Sequence, residues 1–287
     1  MRINHNIPAL NAHRMLNRNA NVSTKVLERL SSGKKINRAS DDAAGMAISE
    51  KMRAQVNGLK MASRNALDGI SLIQTAEGAT GEVHAILQRM RELAVQAANE
   101  IYENEDIQAI QREVNELIDE IDRIADHVQF NGKLICQGSG VGNKSGTIIL
   151  QIGANSGETL ELRLVDVRVE KFGGLSGLKI SGTKIENMKG ASGIVGSGAI
   201  GIIDDAIARV SEQRSILGAT QNRLEHTIAN LDNTAENLSA ALSRIEDTDM
   251  ALEMSEFTKY NILIQAGTAM LAQANQRPQS VLQLLGG

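Results

Sequence analysis

The side chains able to do chemistry in this chain are few and scattered. Five histidines, His5, His13, His84, His127 and His226, stand singly. None has the HExxH or paired-imidazole spacing of a hydrolytic metal centre. Cys136 is the single cysteine, which excludes an internal disulfide framework and a structural zinc site, and it reads as a small buried hydrophobe. Acidic residues occur as the adjacent pairs Asp41–Asp42 and Asp204–Asp205. Adjacent helical positions point in different directions, so these pairs suit helix starts, where carboxylates complement the dipole, better than acid–base dyads. Glu246-Asp247-Thr248-Asp249 lacks the glycine and the closing glutamate of a calcium loop. No catalytic constellation, metal site or cofactor site emerges.

Two glycine-bearing strings resemble phosphate cradles and fail on context. Gly196-Ser197-Gly198-Ala199-Ile200-Gly201 matches GxGxxG. A dinucleotide loop needs a buried strand before it and a second strand about 30 residues on. Only Ile194 and Val195 precede this one, and a long helical pattern follows. Ser31-Ser32-Gly33-Lys34-Lys35 has Glu28 where a phosphate-binding loop needs its first glycine, and Lys35 where it needs Ser or Thr. A helix terminator flanked by lysines near the negative end of the dipole is the simpler account.

The elements that carry these residues are set by composition and period. Of the 287 residues, 42% are hydrophobic and 2% aromatic, with no Trp. Thick cores are dominated by aromatic rings, so this composition suits thin aliphatic seams between helices. Pro8 and Pro278, the only prolines, lie near the ends and leave the interior free for long helices. A heptad series runs Ile200, Ile203, Ile207, Val210, Arg214, Leu217, Gln221, Leu224, Ile228, Leu231, Ala235, Leu238, Leu242, Ile245, interrupted only at Arg214 and Gln221. At about 1.5 Å per residue it makes a rod of roughly 70 Å, which needs equally long partners. One partner runs Ile107, Ile110, Val114, Leu117, Ile121, Ile124, Val128. A second, richer in small residues, runs Leu59, Ala62, Ala66, Gly69, Ile73, Ala76, Thr80, Val83, Leu87, Met90, Ala94, Ala97.

Between 131 and 201 the heptads vanish, and sixteen of the 26 glycines fall there. Thr147–Gln151 and Thr159–Val169, around the turn material Gly153–Gly157, predict a β-hairpin. The two ends are amphipathic and helix-compatible, yet too short to be stable alone in water. Their natural partners are each other and neighbouring copies. Net charge is −4, with no basic footprint for nucleic acid. No run of about 18 apolar residues predicts a membrane span, and the first residues lack the apolar stretch of a secretory leader, which taken alone favours a cytoplasmic address.

Several strings go beyond periodicity: MRINHNIPALN at 1–11, LSSGKKINRASDDAAGMAISE at 30–50, GISLIQTA at 69–76, QRMRELAVQ at 88–96, QFNG at 129–132, QIGAN at 151–155, LGATQNRLEHTIANL at 217–231, and the stretch from Ser243 through Glu256 to MLAQANQRPQSVLQLL at 270–285. In this order they resemble bacterial flagellins over roughly 1–155 and 199–287. The resemblance implies a mainly α fold: a long antiparallel coiled-coil helix bundle with a small β-hairpin region and termini paired as helices. It divides the chain into 1–44 with 246–287 as a terminal inner-tube domain and spoke, 45–130 with 199–245 as the long-helix bundle, and 131–198 as a short insertion of the bundle.

The same resemblance implies a subunit that polymerises with itself into a flagellar filament. The filament is extracellular, with a periplasmic one left open, and is reached without a cleaved signal peptide. Implied partners are a flagellar export chaperone, the type III export apparatus, and the filament cap and hook-junction proteins. Ile3, Ile7, Leu10, Leu27, Leu30, Met254, Ile262, Met270, Leu271, Val281, Leu282 and Leu285 form the expected polymerisation seam. The string at 88–96 implies contact with the flagellin-sensing Toll-like receptor through Arg89, Leu93 and Glu113. Large outer domains and protease-like insertions are absent from the middle, where Ser176, Ser181, Thr183 and Ser192 offer hydroxyls for O-glycans. The alternatives are a hook–filament junction adaptor, which would not polymerise alone, and a nucleotide-binding enzyme around Gly196–Gly201.

Overall fold

The computed structural model describes residues 6–99, 101–137, 147–164, 166–169 and 197–285, with no side chains described at 104, 197, 198 and 277–285. Five helices and four short strands follow in chain order: α1 Ile7–Ser32, α2 Ala43–Ala97, α3 Asn104–His127, β1 Gln129–Phe130, β2 Lys133–Leu134, β3 Thr147–Gln151, β4 Thr159–Arg163, α4 Ser197–Glu246 and α5 Met250–Leu285. They form two compact units, Asn57–Ala235 and Met1–Val56 with Glu236–Gly287. The dividing lines fall inside α2 and α4.

In the unit Asn57–Ala235, helices α2, α3 and α4 enclose one aliphatic core. Every position of the small-residue series on α2 is buried, from Leu59 through Gly69 and Thr80 to Ala97. On α3 the buried line is Ile107, Gln111, Val114, Ile118, Ile121, Ala125, with Ile110 also buried. The expected Leu117 and Ile124 flank it, half-buried. On α4 the line is Ala199, Ile203, Ala206, Val210, Gln213, Leu217, Thr220, Leu224. Ile200, Ile207, Arg214 and Gln221 lie one position aside and are half-buried. Alanine at 199 and 206 lets helix axes approach, while the larger aliphatics close the seam from its edge. Arg214 and Gln221 therefore do not interrupt the seam. Two of the buried polar side chains on α4 are satisfied: Gln213 Nε2 donates to Arg163 O at 3.2 Å, and Thr220 Oγ1 to Ile216 O at 2.7 Å.

Two antiparallel hairpins complete this unit. β1 and β2 are joined by Asn131-Gly132, with φ of 50° and 74°, the left-handed pair that a two-residue hairpin turn demands. β3 pairs with β4 from Thr147↔Arg163 to Gln151↔Thr159. Leu160 and Leu162 point into the core, and Leu164, Val167 and Val169 stay buried after the strand has ended. The second strand is thus shorter than expected, although its burial continues. The hairpin lies against α2 where Gly58 and Gly69 leave room: a Cβ on Gly58 would stand 2.9 Å from Ala154 Cβ. Cys136 is buried beside Ile135, and desolvation pushes its thiol up to about 11.

In the other unit, α1 and α5 run antiparallel. Asn6 Nδ2 donates to Ala274 O at 2.9 Å near one end, and Arg29 pairs with Glu253 at 3.3 Å near the other. Asn6 caps α1 by accepting from Ala9 N, and Gly33, at φ 69°, terminates it with its N–H on Arg29 O. Asp42 Oδ1 accepts from Ala44 N and Gly45 N at the start of α2. Asp249 Oδ1 does the same for Ala251 N and Leu252 N at the start of α5. Asp41 Oδ2 accepts from Arg38 N at 3.2 Å, while Asp42 thus serves a helix start as expected. Asp204 does not: it lies inside α4 and pairs with Arg91 of α2 at 2.6 Å.

Candidate functional site

The α1–α5 pair is unusual in how little it buries. Both helices present a strict 3–4 spacing to each other: Ala12, Leu16, Asn19, Ser23, Val26 and Leu30 on α1, and Glu253, Phe257, Tyr260, Ile264, Gly267, Leu271 and Ala274 on α5. Among the described side chains of the two helices, only Ser23, Val26 and Glu253 are buried. Larger aliphatics point away from this seam. Ile7, Leu10, Ile262 and Met270 are 54%, 63%, 59% and 64% exposed, and Met15, Leu27, Met250, Leu252 and Met254 are exposed with them. Single exposed aliphatics are ordinary, whereas this many large ones exposed on one helix pair suit an interaction face.

Of the residues expected to form the polymerisation seam, Ile7, Leu10, Leu27, Met254, Ile262 and Met270 lie exposed, and Leu30 and Leu271 are half-buried between the two helices. Val281, Leu282 and Leu285 belong to α5, in its stretch without described side chains, and Ile3 lies outside the described residues. Ser176, Ser181, Thr183 and Ser192 also lie outside them. So does Gly196, and from Ser197 onward the GxGxxG string is already helix.

At the root of the pair sits an ionic cluster that sequence reasoning missed. The segment after Gly33 runs beside the α4–α5 junction: Lys35 N donates to Glu246 O at 2.6 Å, and Thr248 N to Gly33 O at 3.1 Å. There the Glu246 carboxylate, 4% exposed, receives both Lys34 Nζ and Arg53 Nη2. Burial alone would raise this carboxyl, but hydrogen bonds from Lys34 and Arg53 outweigh it and hold Glu246 below the usual carboxylate range. Arg53 is raised in turn, chiefly by its hydrogen bond to Glu246. Next to it, Glu253 Oε1 accepts from Arg29 and from Thr248 Oγ1, while its buried Oε2 has no partner. No sequence signal marks this cluster, because Lys34, Arg53 and Glu246 are far apart in the chain and individually ordinary.

In the unit Asn57–Ala235, the three residues of the receptor expectation do not share one environment. Arg89 and Glu113 are exposed and paired between α2 and α3, with Nε–Oε1 at 3.0 Å and Nη2–Oε1 at 2.9 Å. The hydrogen bonds that Arg89 donates to Glu113 and then to Glu92 raise its guanidinium. Leu93, one turn along, is 2% exposed and packs in the core.

Among the described residues no helix is long and apolar enough to cross a membrane. The fold and its apolar exterior define a class: a helical structural protein that leaves much of its aliphatic surface outside its own core. Comparison with known proteins narrows this. The family model for the bacterial flagellin N-terminal helical region matches residues 3–140, and that for the C-terminal helical region matches 200–285. A flagellin of Halalkalibacterium halodurans is 56% identical over 285 residues, covering 99% of this chain and 100% of its own. A flagellin of Bacillus subtilis is 52% identical over 303 residues, with coverage of 99% and 100%. A solved chain described as a flagellar hook-associated protein from Vibrio parahaemolyticus has a TM-score of 0.57 at 14% identity. It covers 72% of this chain and 100% of its own, a likeness of fold alone. The chain belongs to the bacterial flagellin family, as a structural subunit of the flagellar filament. Nothing favours the junction adaptor.

Proposed function

We propose that the α1–α5 pair is the polymerising element of this subunit, and that its outward aliphatic faces are buried only by neighbouring copies. The observation that carries this is the mismatch between a pair with almost no core and the exposed Ile7, Leu10, Leu27, Met254, Ile262 and Met270 around it. Burial of such surface contributes roughly 25 cal/mol per Å² before ordering costs. Contacts between different patches of successive copies do not close on themselves and generate an open helical polymer. Ile3, Val281, Leu282 and Leu285 extend the same faces by sequence spacing. In this reading the subunit leaves the cell through the flagellar export apparatus, with a chaperone covering the C-terminal segment until then. It is added beneath a filament cap, beyond the hook-junction proteins.

The test is seeded growth, read by electron microscopy and sedimentation, of the intact chain, a chain lacking 251–287, and the variant Leu10→Asp/Ile262→Asp. Long fibres from the intact chain alone, with the double variant still helical by circular dichroism, is the expected result. Fibres from the double variant would remove these faces from the polymerisation contact.

The exposed Arg89–Glu113 pair supports a second, separate surface role, as the part of the subunit that meets the flagellin-sensing Toll-like receptor. Leu93 contributes there by holding α2 in place from below, since it is buried. A receptor reporter assay should lose most of its response with Arg89→Ala/Glu113→Ala. An unchanged response would place the contact elsewhere.

A further inference from the structure

A thin helix pair has a register problem, and α1–α5 shows it plainly. Its facing positions repeat every seven residues, and many are small or polar: Ala12, Asn19, Ser23, Gly267, Ala274. A slide of one heptad would keep the 3–4 spacing facing inward, and in the direction that brings Leu16 opposite Ala274 it would keep a small residue there. Large interlocking side chains ordinarily forbid such slides; here Leu16, Phe257, Tyr260 and Ile264 alternate with these small or polar positions, so packing alone resists a slide less than a continuous large-residue seam would. Yet the register determines which outward aliphatics stand side by side on the pair, and so what the next copy meets.

We infer that the cluster of Glu246 with Lys34 and Arg53, supported by Arg29–Glu253, sets the register of the α1–α5 pair. The argument rests on position and burial. The backbone bonds Lys35 N to Glu246 O and Thr248 N to Gly33 O tie the end of α1 beside the start of α5. Glu246 closes over that crossing as a buried carboxylate between two cations from different segments, Lys34 beyond α1 and Arg53 on α2. Glu50 steadies Arg53 from the solvent side at 2.8 Å. One turn into the pair, Arg29 meets Glu253. A slide of α1 by a heptad would separate Arg29 from Glu253 and pull Gly33 off Thr248, stranding buried carboxylates. Breaking one partner of a buried ion pair is far costlier than the pair's net worth, and setting a register is the best-attested use of such groups. Glu246, Lys34 and Arg53 are positioning residues: they touch no neighbouring copy in this account, but decide what the neighbour finds. The inference rests on the reading of α1–α5 as the polymerising element.

Register can be read chemically. A Cβ at Gly267 would lie 3.9 Å from Leu16 Cβ, inside the roughly 3.5–4.5 Å range of a disulfide. Leu16→Cys/Gly267→Cys therefore reports the native register. Leu16→Cys/Tyr260→Cys and Leu16→Cys/Ala274→Cys report the one-heptad slides, about 10 Å away along the helix. Each pair is oxidised in the full chain, on fibres and on the soluble fraction alike, with buried Cys136 silent. With Glu246 present, the 16–267 crosslink should exceed the others about tenfold or more; in Glu246→Gln that excess should fall to within about threefold. Lys34→Arg, which keeps the charge, should preserve it. An undiminished excess in both Glu246→Gln and Glu246→Ala overturns the inference and leaves the α1–α5 pairing intact. Absence of the 16–267 crosslink in every background overturns the pairing itself, and the inference with it.

Discussion

Glycines inside α2 supply a test in which one substitution, on one helix, changes sign with its surroundings. Replacing an interior helical glycine by alanine stabilises by about 1 kcal/mol through backbone entropy alone. At Gly78 and Gly81 a new Cβ would meet nothing within 4 Å, so that gain is undiminished. At Gly58 the Cβ would lie 2.9 Å from Ala154 Cβ and 3.3 Å from Ala154 Cα. The second of these is backbone in the β3–β4 turn and cannot rotate aside. Overpacking of this kind costs about 1–3 kcal/mol, enough to cancel or reverse the gain. Urea and thermal unfolding of the soluble chain, followed by helical circular dichroism, measures both. Gly78→Ala/Gly81→Ala should raise stability by about 2 kcal/mol, or roughly 4–8 °C in Tm. Gly58→Ala should lower Tm by a few degrees. If Gly58→Ala stabilised as much as Gly78→Ala, the hairpin would not rest on α2 at that point, and the account of why glycine stands there would be wrong.

Three further outcomes are expected. The Cys136 thiol, buried and pushed up to about 11, should resist thiol reagents at pH 8 in the folded chain and react at once in denaturant; fast labelling of the native chain would contradict its burial. Asp249→Ala removes the acceptor for Ala251 N and Leu252 N and should cost about 1 kcal/mol of α5 stability, seen as faster amide exchange over 250–256 than in the parent. Glu246 is held below the usual carboxylate range, so its contribution is complete above that range and disappears as pH falls through the lower folded value. The stability gap between the parent and Glu246→Gln should accordingly narrow on acidification, and a gap independent of pH would show that the cluster acts without the charge.

The helices were legible because period, not composition, encodes them. The α2 series, with its alanines and glycine, is buried at every position. The series on α3 and α4 placed the central line correctly but chose the wrong flank. Counting apolar residues prefers Leu117, Ile124, Ile200 and Ile207, whereas close helix approach prefers Ala125, Ala199 and Ala206 and accepts a satisfied Gln213 or Thr220. β3 was placed to the residue because turn chemistry bounds it, while the Asn131-Gly132 hairpin escaped notice because its strands are only two residues long. The Glu246 cluster was illegible for a different reason. Charge pairing between distant segments depends on where the chain crosses itself, and no local pattern records a crossing.

The hydrogen bond from Asn6 to Ala274 joins residues 268 positions apart. Closing a flexible loop of that length costs about 5 kcal/mol in chain entropy, and the contact cannot form before Ala274 has been made. By contrast, the pairing of α2 with α3 across Arg89–Glu113 spans 24 positions and is available early. Folding thus has a built-in sequence in time: local helix pairs first, the clasp of the two ends last. A growing chain carries the apolar stripe of α1 from early in its synthesis but cannot present the completed α1–α5 surface until α5 has also been made. With α1–α5 in the role proposed above, the order of residues along the chain acts as a timer, delaying assembly until both helices of the pair exist.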